Sequence, residues 1–363
     1  MKTKLLFILL ITAQFSFAQS KSRADRFFEK GDYINAAIQY EEELNQKGYE
    51  KHILENISTS YYNTFQFKDA YRYLKILTSG KFYGKDKSYD NSYNFMMYQV
   101  LSALGGYEKA LPYLATYQEN KGAVSRKTME AIQEIEAFKL KDDDFRITPA
   151  EFNTGASEFG AVKVDSTVYF ISDRQDGILP GKEYKWTHRS FLDIYKVKVA
   201  EQNVPVSEVE KLESDLNSKL HDGNFCFSKD GNTIYFSRNY IERGKRKLDS
   251  LGRNPVHLYK AVKKDGAWSK QEHLSFNTLE ASAMHPSLNA DESVLYFSSN
   301  AAGGYGDFDI YEVTIDADGI YGKMKNLGET INTDQREQFP FISKKIFILF
   351  EFKFKSIKSI RIS

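Results

Sequence analysis

Residues 285–313 read HPSLNADESVLYFSSNAAGGYGDFDIYEV, and the fold of much of the chain follows from how this stretch is read. Two apolar runs, 294–297 and 308–313, flank a turn-forming cluster at 300–307. Apolar runs bounded by Gly, Asn and Asp read as adjacent strands with a loop between them. A lone hairpin is marginal in water, because its apolar face needs more sheet to cover it. Further copies are therefore expected. Residues 224–239 read NFCFSKDGNTIYFSRN and residues 159–174 read FGAVKVDSTVYFISDR. All three give an apolar residue, a polar turn and a strand carrying Tyr-Phe with Ser close behind, with tyrosines at 169, 235 and 296. A loop of variable length then leads to Asp193-Ile194-Tyr195, His257-Leu258-Tyr259 or Asp309-Ile310-Tyr311. A fourth copy begins at 338–343 with QFPFIS. Such units in a row predict stacked sheets, with propeller blades of short strands the first expectation.

The turn Lys229-Asp230-Gly231, the Tyr-Phe strands, the Gly-rich loop at 303–306 and the Asp-Ile-Tyr strands resemble the WD40-like blades of TolB-type propellers. The copy at 285–313 carries the resemblance most fully, and the copy at 159–174 carries it least.

Residues 22–140 have a different character, with apolar residues at helical spacing. Three segments overlay: DYINAAIQY at 32–40, QFKDAYRYL at 66–74 and GYEKALPYL at 106–114. Their aromatics Tyr33, Phe67 and Tyr107 coincide, as do the small residues Ala36, Ala70 and Ala110. The first interval is 34 residues and the second 40, with the excess expected in the loop 80–90. This resembles tetratricopeptide repeats, in which a small residue permits close helix crossing and the aromatic fills the core beside it. Partner helices are expected at 24–30, 53–64 and 93–104, with a capping helix at 125–139. Pro112 is expected to kink the last repeat helix or to move its start. Glu41, Glu42 and Glu43 read as a solvated helix face. The fold class is thus α+β multidomain, an N-terminal TPR-like helical solenoid followed by an incomplete all-β propeller.

The ends of the chain add two expectations. Residues 1–18 combine Lys2 and Lys4, an apolar run at 5–11 and Ser16-Phe17-Ala18, the pattern of a cleaved secretory signal peptide. The helical repeats then occupy 19–141, a linker 142–157 and the blades 158–343. Residues 344–363 contain no Gly, Pro, Asn or Asp. This break in composition reads as a shifted frame or a truncation, against the plainer reading of a closing strand with Phe350, Phe352 and Phe354 alternating. About three blades and a stub fall short of the roughly four to eight that close a propeller, so an open sheet edge is expected.

Helical repeats followed by a TolB-like propeller resemble exported OmpA-family proteins of the Bacteroidetes, including PorE-like components of type IX secretion. That resemblance implies a periplasmic, outer-membrane-associated protein with envelope proteins as partners. Peptidoglycan contact is implied only for relatives carrying an OmpA-type domain.

The chemistry is read from the residues. A formal charge of +1, from 50 basic and 49 acidic residues, gives no bulk field for nucleic acid. The single cysteine, Cys226, excludes an internal disulfide and reads as a packed thiol. The six histidines, at 52, 188, 221, 257, 273 and 285, show no metal-ligand spacing, and no nucleophile elbow is present. No cofactor, catalytic residue or resident metal is expected. Asp307 and Asp309, beside Gly303, Gly304 and Gly306, are the candidate calcium ligands, but two carboxylates are too few, and the glycines read as supplying loop dihedrals. The loop 240–255 carries Arg243, Lys245, Arg246, Lys247 and Arg253, which read as a docking site for an acidic partner or as a solvated insertion. The expected function is a non-catalytic envelope interaction scaffold. The alternative is a periplasmic carbohydrate-binding or hydrolytic propeller, for which Trp186 near Asp193 would form the sugar platform.

Overall fold

The computed structural model describes residues 21–119, 148–175, 183–201, 204–212, 216–342, 347–351 and 359–360. The expected signal peptide, the capping helix and the first part of the linker, 142–147, lie outside these residues. The chain divides into two compact units, one helical and including Lys185–His188, the other built of strands.

The helical unit contains α1 (Arg23–Glu29), α2 (Tyr33–Lys47), α3 (Lys51–Asn63), α4 (Phe67–Thr78), α5 (Ser92–Ala103) and α6 (Tyr107–Glu119). Each helix packs on the one before it. Ser22 and Asp25 close a capping box on α1, and the Asp32 side chain accepts from the Asn35 N–H at the start of α2. Ala36, Ala70 and Ala110 are fully buried, as close helix crossing requires. The coinciding aromatics behave otherwise. Tyr33, Phe67 and Tyr107 are the first residues of α2, α4 and α6, and Tyr107 is 43% exposed. Their place at a helix end, rather than mid-face, keeps them from the deep core. The core is filled instead by Tyr40, Ile53, Leu54, Ile57, Leu74, Leu77 and Met97.

One further expectation is narrowed and another corrected. Helix α6 runs through Pro112 with its start still at Tyr107, so the proline does not displace the helix start. Glu41 does not face solvent alone: it accepts from Tyr61 Oη at 2.8 Å, Tyr73 Oη at 2.9 Å and Arg72 at 2.6 Å. One carboxylate thereby ties α2 to α3 and α4.

The strand unit holds four successive antiparallel sheets. The first has β1 (Glu158–Val164), β2 (Thr167–Ser172), β5 (Asp193–Lys198) and β6 (Glu210–Lys211), with the small hairpin β3 (Glu183–Tyr184) and β4 (Arg189–Ser190) inserted before β5. The second has β7 (Asp222–Phe227), β8 (Thr233–Asn239), β11 (Val256–Lys264), β12 (Ala267–Trp268) and β13 (Glu272–His273). Its inserted hairpin is β9 (Ile241–Glu242) with β10 (Lys245–Arg246). The third has β14 (Ala283–Leu288), β15 (Val294–Ser299), β16 (Asp309–Thr314) and β17 (Lys325–Asn326). In the fourth, β18 (Glu337–Ile342) pairs with β19 (Phe347–Glu351), and β19 with β20 (Ser359–Ile360).

The register explains the recurring motif. Phe170 opposes Tyr195, Phe236 opposes Tyr259 and Phe297 opposes Tyr311. The rings stack at 5.9, 5.8 and 6.2 Å between centroids. The Tyr-Phe strand and the Asp-Ile-Tyr strand therefore specify one cross-strand aromatic pair, made three times. The first strand of every sheet is bulged, with a left-handed residue at the bulge: Gly160, Asn224, His285 and Phe339. These bulges are not visible as a pattern, since four residue types occupy the position.

The two largest cores of the strand unit lie between sheets, while a smaller one, of Val168, Phe170, Tyr195, Val197 and Val199, belongs to the first sheet. Ile171 and Ile194 of the first sheet pack with Phe225, Ile234 and Phe236 of the second. Tyr235 and Leu258 of the second pack with Ala283, Leu295 and Phe297 of the third. First strands adjoin one another, β7 touching β1 and β14, and β14 touching β18. Among the described residues no helix is long and apolar enough to cross a membrane.

Candidate functional site

The connection between the second and third strand is where the first three sheets diverge, and it holds or borders most of the residues singled out for chemistry. In the third sheet it is the Gly-rich loop. Asp309, 1% exposed, accepts from Tyr305 N at 2.6 Å, Gly306 N at 3.0 Å and Asn326 Nδ2 at 2.7 Å. Its carboxylate is engaged in holding the loop. The glycines serve the same closure. Gly303 has φ +87°, but a Cβ on Gly304 would collide with the Asp309 carboxylate, and one on Gly306 with the Gln335 and Thr333 carbonyls. Close approach, and not dihedral freedom alone, fixes them. Asp307 reaches the neighbouring turn through its backbone, donating N–H to Gln335 O at 2.7 Å. Among the described residues no group of three or more His, Cys, Asp or Glu side chains is disposed to hold a metal ion.

Each of the first three sheets is also closed by an asparagine that the repeat pattern did not reveal. Ile194 N donates to Asn217 Oδ1 at 2.8 Å, Leu258 N to Asn277 Oδ1 at 3.0 Å and Ile310 N to Asn332 Oδ1 at 2.7 Å. Each amide returns a bond to the same residue's carbonyl, at 3.0, 2.8 and 3.1 Å. The third strand is thus paired by a side chain where its ladder ends. The sequence signal is an apolar residue, Asn, then Ser or Thr: Leu216-Asn217-Ser218, Phe276-Asn277-Thr278 and Ile331-Asn332-Thr333.

The first strands of three sheets supply an acid at one equivalent position, where the third sheet has Ala283. Asp222 and Glu337 are fully buried there, and Glu158 is its counterpart in the first sheet. Burial pushes the Asp222 carboxyl up, against the opposing pull of Arg238. Arg238 bonds Asp222 and lies over the rings of Phe236 at 5.1 Å and Tyr259 at 5.5 Å. Arg174 repeats this in the first sheet, bonding Glu158 at 3.1 Å and lying over Phe170 and Tyr195. Glu337 accepts from the Thr333 N–H and hydroxyl, and burial raises it as well. All three acids have protein partners, the arrangement of structural carboxylates.

In the second sheet the connection is the basic loop, and it forms an arm with its own skeleton. Arg243, at φ 50°, and Gly244, at φ 76°, turn the β9–β10 hairpin. Lys247 N donates to Tyr240 O, and Asn254 Nδ2 donates to Tyr240 O and Lys247 O. Asp249 accepts from Leu251 N, Arg253 N and Arg253 Nε. The predicted basic set therefore splits. Lys247 pairs with Glu242 at 2.6 Å and Arg253 with Asp249 at 2.8 Å, so both brace the arm. Arg243, Lys245 and Arg246 are exposed and form no ion pair among the described residues.

At the base of the arm, His257 occupies the place of Asp193 and Asp309. Its Nε2 meets Thr278 O at 2.9 Å and its Nδ1 meets His273 Nε2 at 2.8 Å, with Tyr240 stacked across both rings. Burial lowers His257 to about 4. The fold joins two histidines that are sixteen residues apart in sequence. Asp193 itself pairs with Lys211 at 2.5 Å. Trp186 is grouped with the helical unit and Asp193 with the strand unit. Cys226 is half-buried against the core between the second and third sheets, and burial pushes its thiol up to about 12.

No family model and no curated protein matches the chain. Among solved structures, weak likenesses extend to a puromycin-hydrolyzing peptidase of Mycobacterium tuberculosis (15% identity, TM-score 0.32, 48% of this chain and 24% of that one). Another is an α-L-arabinofuranosidase of Lactobacillus brevis (12%, 0.34, 55% and 62%). A third is a TolB protein of Agrobacterium tumefaciens (14%, 0.25, 46% and 68%). The chain thus spans about a quarter of the peptidase's length and less than two thirds of the arabinofuranosidase's. At these scores the likenesses carry neither activity nor substrate to this chain.

Proposed function

We propose that this chain is a non-catalytic interaction scaffold of the cell envelope, its helices stacked as TPR-like repeats and its sheets as the blades of a TolB-like propeller. One observation carries the reading: the recurring buried polar groups of the strand unit are engaged in the scaffold itself. Asp309 holds a loop, Asn217, Asn277 and Asn332 pair strand backbone, and Asp222 and Glu337 have donors of their own. A hydrolytic site needs acids poised toward a substrate. Export is proposed from the pattern at 1–18.

The test has two arms. The secreted chain is purified and its N-terminus sequenced, with Gln19 expected first. It is then incubated with chromogenic arabinofuranosides and peptidyl anilides, where no turnover above buffer is expected. In parallel, a photoreactive amino acid at exposed Ile38 of α2 is expected to give a discrete cross-linked envelope protein in cells. Turnover abolished by Asp222→Asn or Glu337→Gln in a folded protein would establish the hydrolytic alternative instead.

A further inference from the structure

The arm at 240–255 combines three properties that seldom occur together without a partner. It is rigid, since Tyr240, Lys247, Asp249 and Asn254 fix its backbone. It is apolar at the tip, with Leu251 72% and Leu248 48% exposed, and Leu279 beside it 40% exposed. Ser250 joins the two surfaces by donating N–H and Oγ to Glu280, at 3.1 and 2.7 Å. It is also cationic: the nearby acids have partners of their own, Glu242 in Lys247, Asp249 in Arg253 and backbone, Glu280 in Ser250, and among the described residues none forms an ion pair with Arg243, Lys245 or Arg246.

A solvated insertion needs neither the bracing nor the leucines. Exposed leucines on a backbone already ordered form a preorganised anchor, which lowers the entropic cost of association. Unneutralised cations beside them select the sign of the partner. We infer that the arm is a docking element for a protein segment carrying carboxylates interspersed with apolar side chains. Arg243, Lys245 and Arg246 face its acids, and Leu248, Leu251 and Leu279 face its apolar residues. Lys247 and Arg253 stay out of the contact as braces. This rests on the scaffold reading and names the chemistry of its partner.

The experiment uses the full chain in cells, with p-benzoylphenylalanine placed at Leu251 and, separately, at Ile38. After irradiation the adduct is purified and its cross-linked peptide sequenced. The expected result at Leu251 is a peptide rich in Asp or Glu and in apolar residues, its yield falling about tenfold or more with Arg243→Glu/Lys245→Glu/Arg246→Glu. Leu248→Ser in the same background is expected to reduce the yield further. A basic peptide, a lipid adduct, or a yield unchanged by charge reversal overturns the inference. Adducts from Ile38 with none from Leu251 overturn the arm and leave the scaffold reading in place; silence at both positions overturns both. Circular dichroism and urea midpoints matching the parent confirm that the charge-reversed arm belongs to a folded protein.

Discussion

The Gly-rich loop of the third sheet and the basic arm of the second occupy the same place in their repeats, and they are stabilised in opposite ways. In the third sheet the strand after the loop opens with Asp309, whose buried carboxylate gathers the amides of Tyr305 and Gly306 and pulls the loop onto the sheet. In the second sheet His257 opens that strand and engages His273 and Thr278. It does not gather the connection's amides, so that connection extends away and supplies its own carboxylate, Asp249. Between these two sheets the change of side chain at one register position goes with the change from a loop held on the sheet to an arm that braces itself.

The sharpest way to break this contrast is to remove each carboxylate. Asp309→Ala strips three donors of their acceptor in a buried setting, and each such orphaned group costs about 1–3 kcal/mol. A loss of about 3 kcal/mol or more is expected in urea unfolding of the whole strand unit. Asp249→Ala should leave the unfolding midpoint unchanged and appear only as faster proteolysis within 248–253, because nothing but the arm depends on it. Equal loss of stability in both variants would mean that the arm is integral to the sheet.

How much of this contrast could be read from sequence divides along physical lines. The strands and helices were legible because their periodicities are short and local: Tyr-Phe and Asp-Ile-Tyr mark β2, β8, β15 and their partners, and Ala36, Ala70 and Ala110 mark the helix crossings. The strand-end asparagines were not, since they lie 23, 19 and 22 residues beyond the residues they pair with, and loops of varied length hide a common spacing. Nor was the division among the basic residues. Lys245 opposes Glu242 in the backbone register, yet Lys247, two residues further along the same limb, makes the ion pair, a matter of side-chain placement that spacing does not give.

Acid titration sharpens the second half of the comparison. Burial lowers His257 to about 4, His221 to about 4 and, more deeply enclosed, His285 to about 3. An unfolded histidine takes up its proton near pH 6.5. Between there and the folded values the unfolded chain binds more protons, so stability is full above about pH 6.5 and falls as the pH is lowered, by up to about 1.4 kcal/mol per pH unit for each histidine. His285 offers the cleanest probe, since the equivalent bulge in the second sheet carries Asn224 in the same left-handed conformation. His285→Asn should flatten the acid limb of the urea-midpoint profile between about pH 6.5 and 4. A profile that His285→Asn does not alter would place the acid sensitivity elsewhere.

The smallest effect tests whether equivalence between repeats has the same force in the helical unit. Gly31 and Gly105 each follow a helix in the left-handed conformation, with φ +69° and +78°, and Phe65 holds the corresponding place after α3 with φ 58°. The hydrogen bonds match: Gly31, Phe65 and Gly105 N–H groups return to Phe28, Tyr62 and Ser102, and the next N–H groups return to Phe27, Tyr61 and Leu101. This is the helix stop that favours glycine, because a Cβ there costs about 1–2 kcal/mol. Phe65 is 73% exposed, and its ring meets Phe67 edge-on at 6.0 Å, so truncation gives up little burial. Phe65→Gly should therefore raise the stability of the helical unit by about 0.5–1 kcal/mol after the extra freedom of glycine in the unfolded chain is set against the relieved strain. A loss instead would show that the Phe65–Phe67 contact outweighs the backbone, and that this repeat is held by its surface aromatics as much as by its turn.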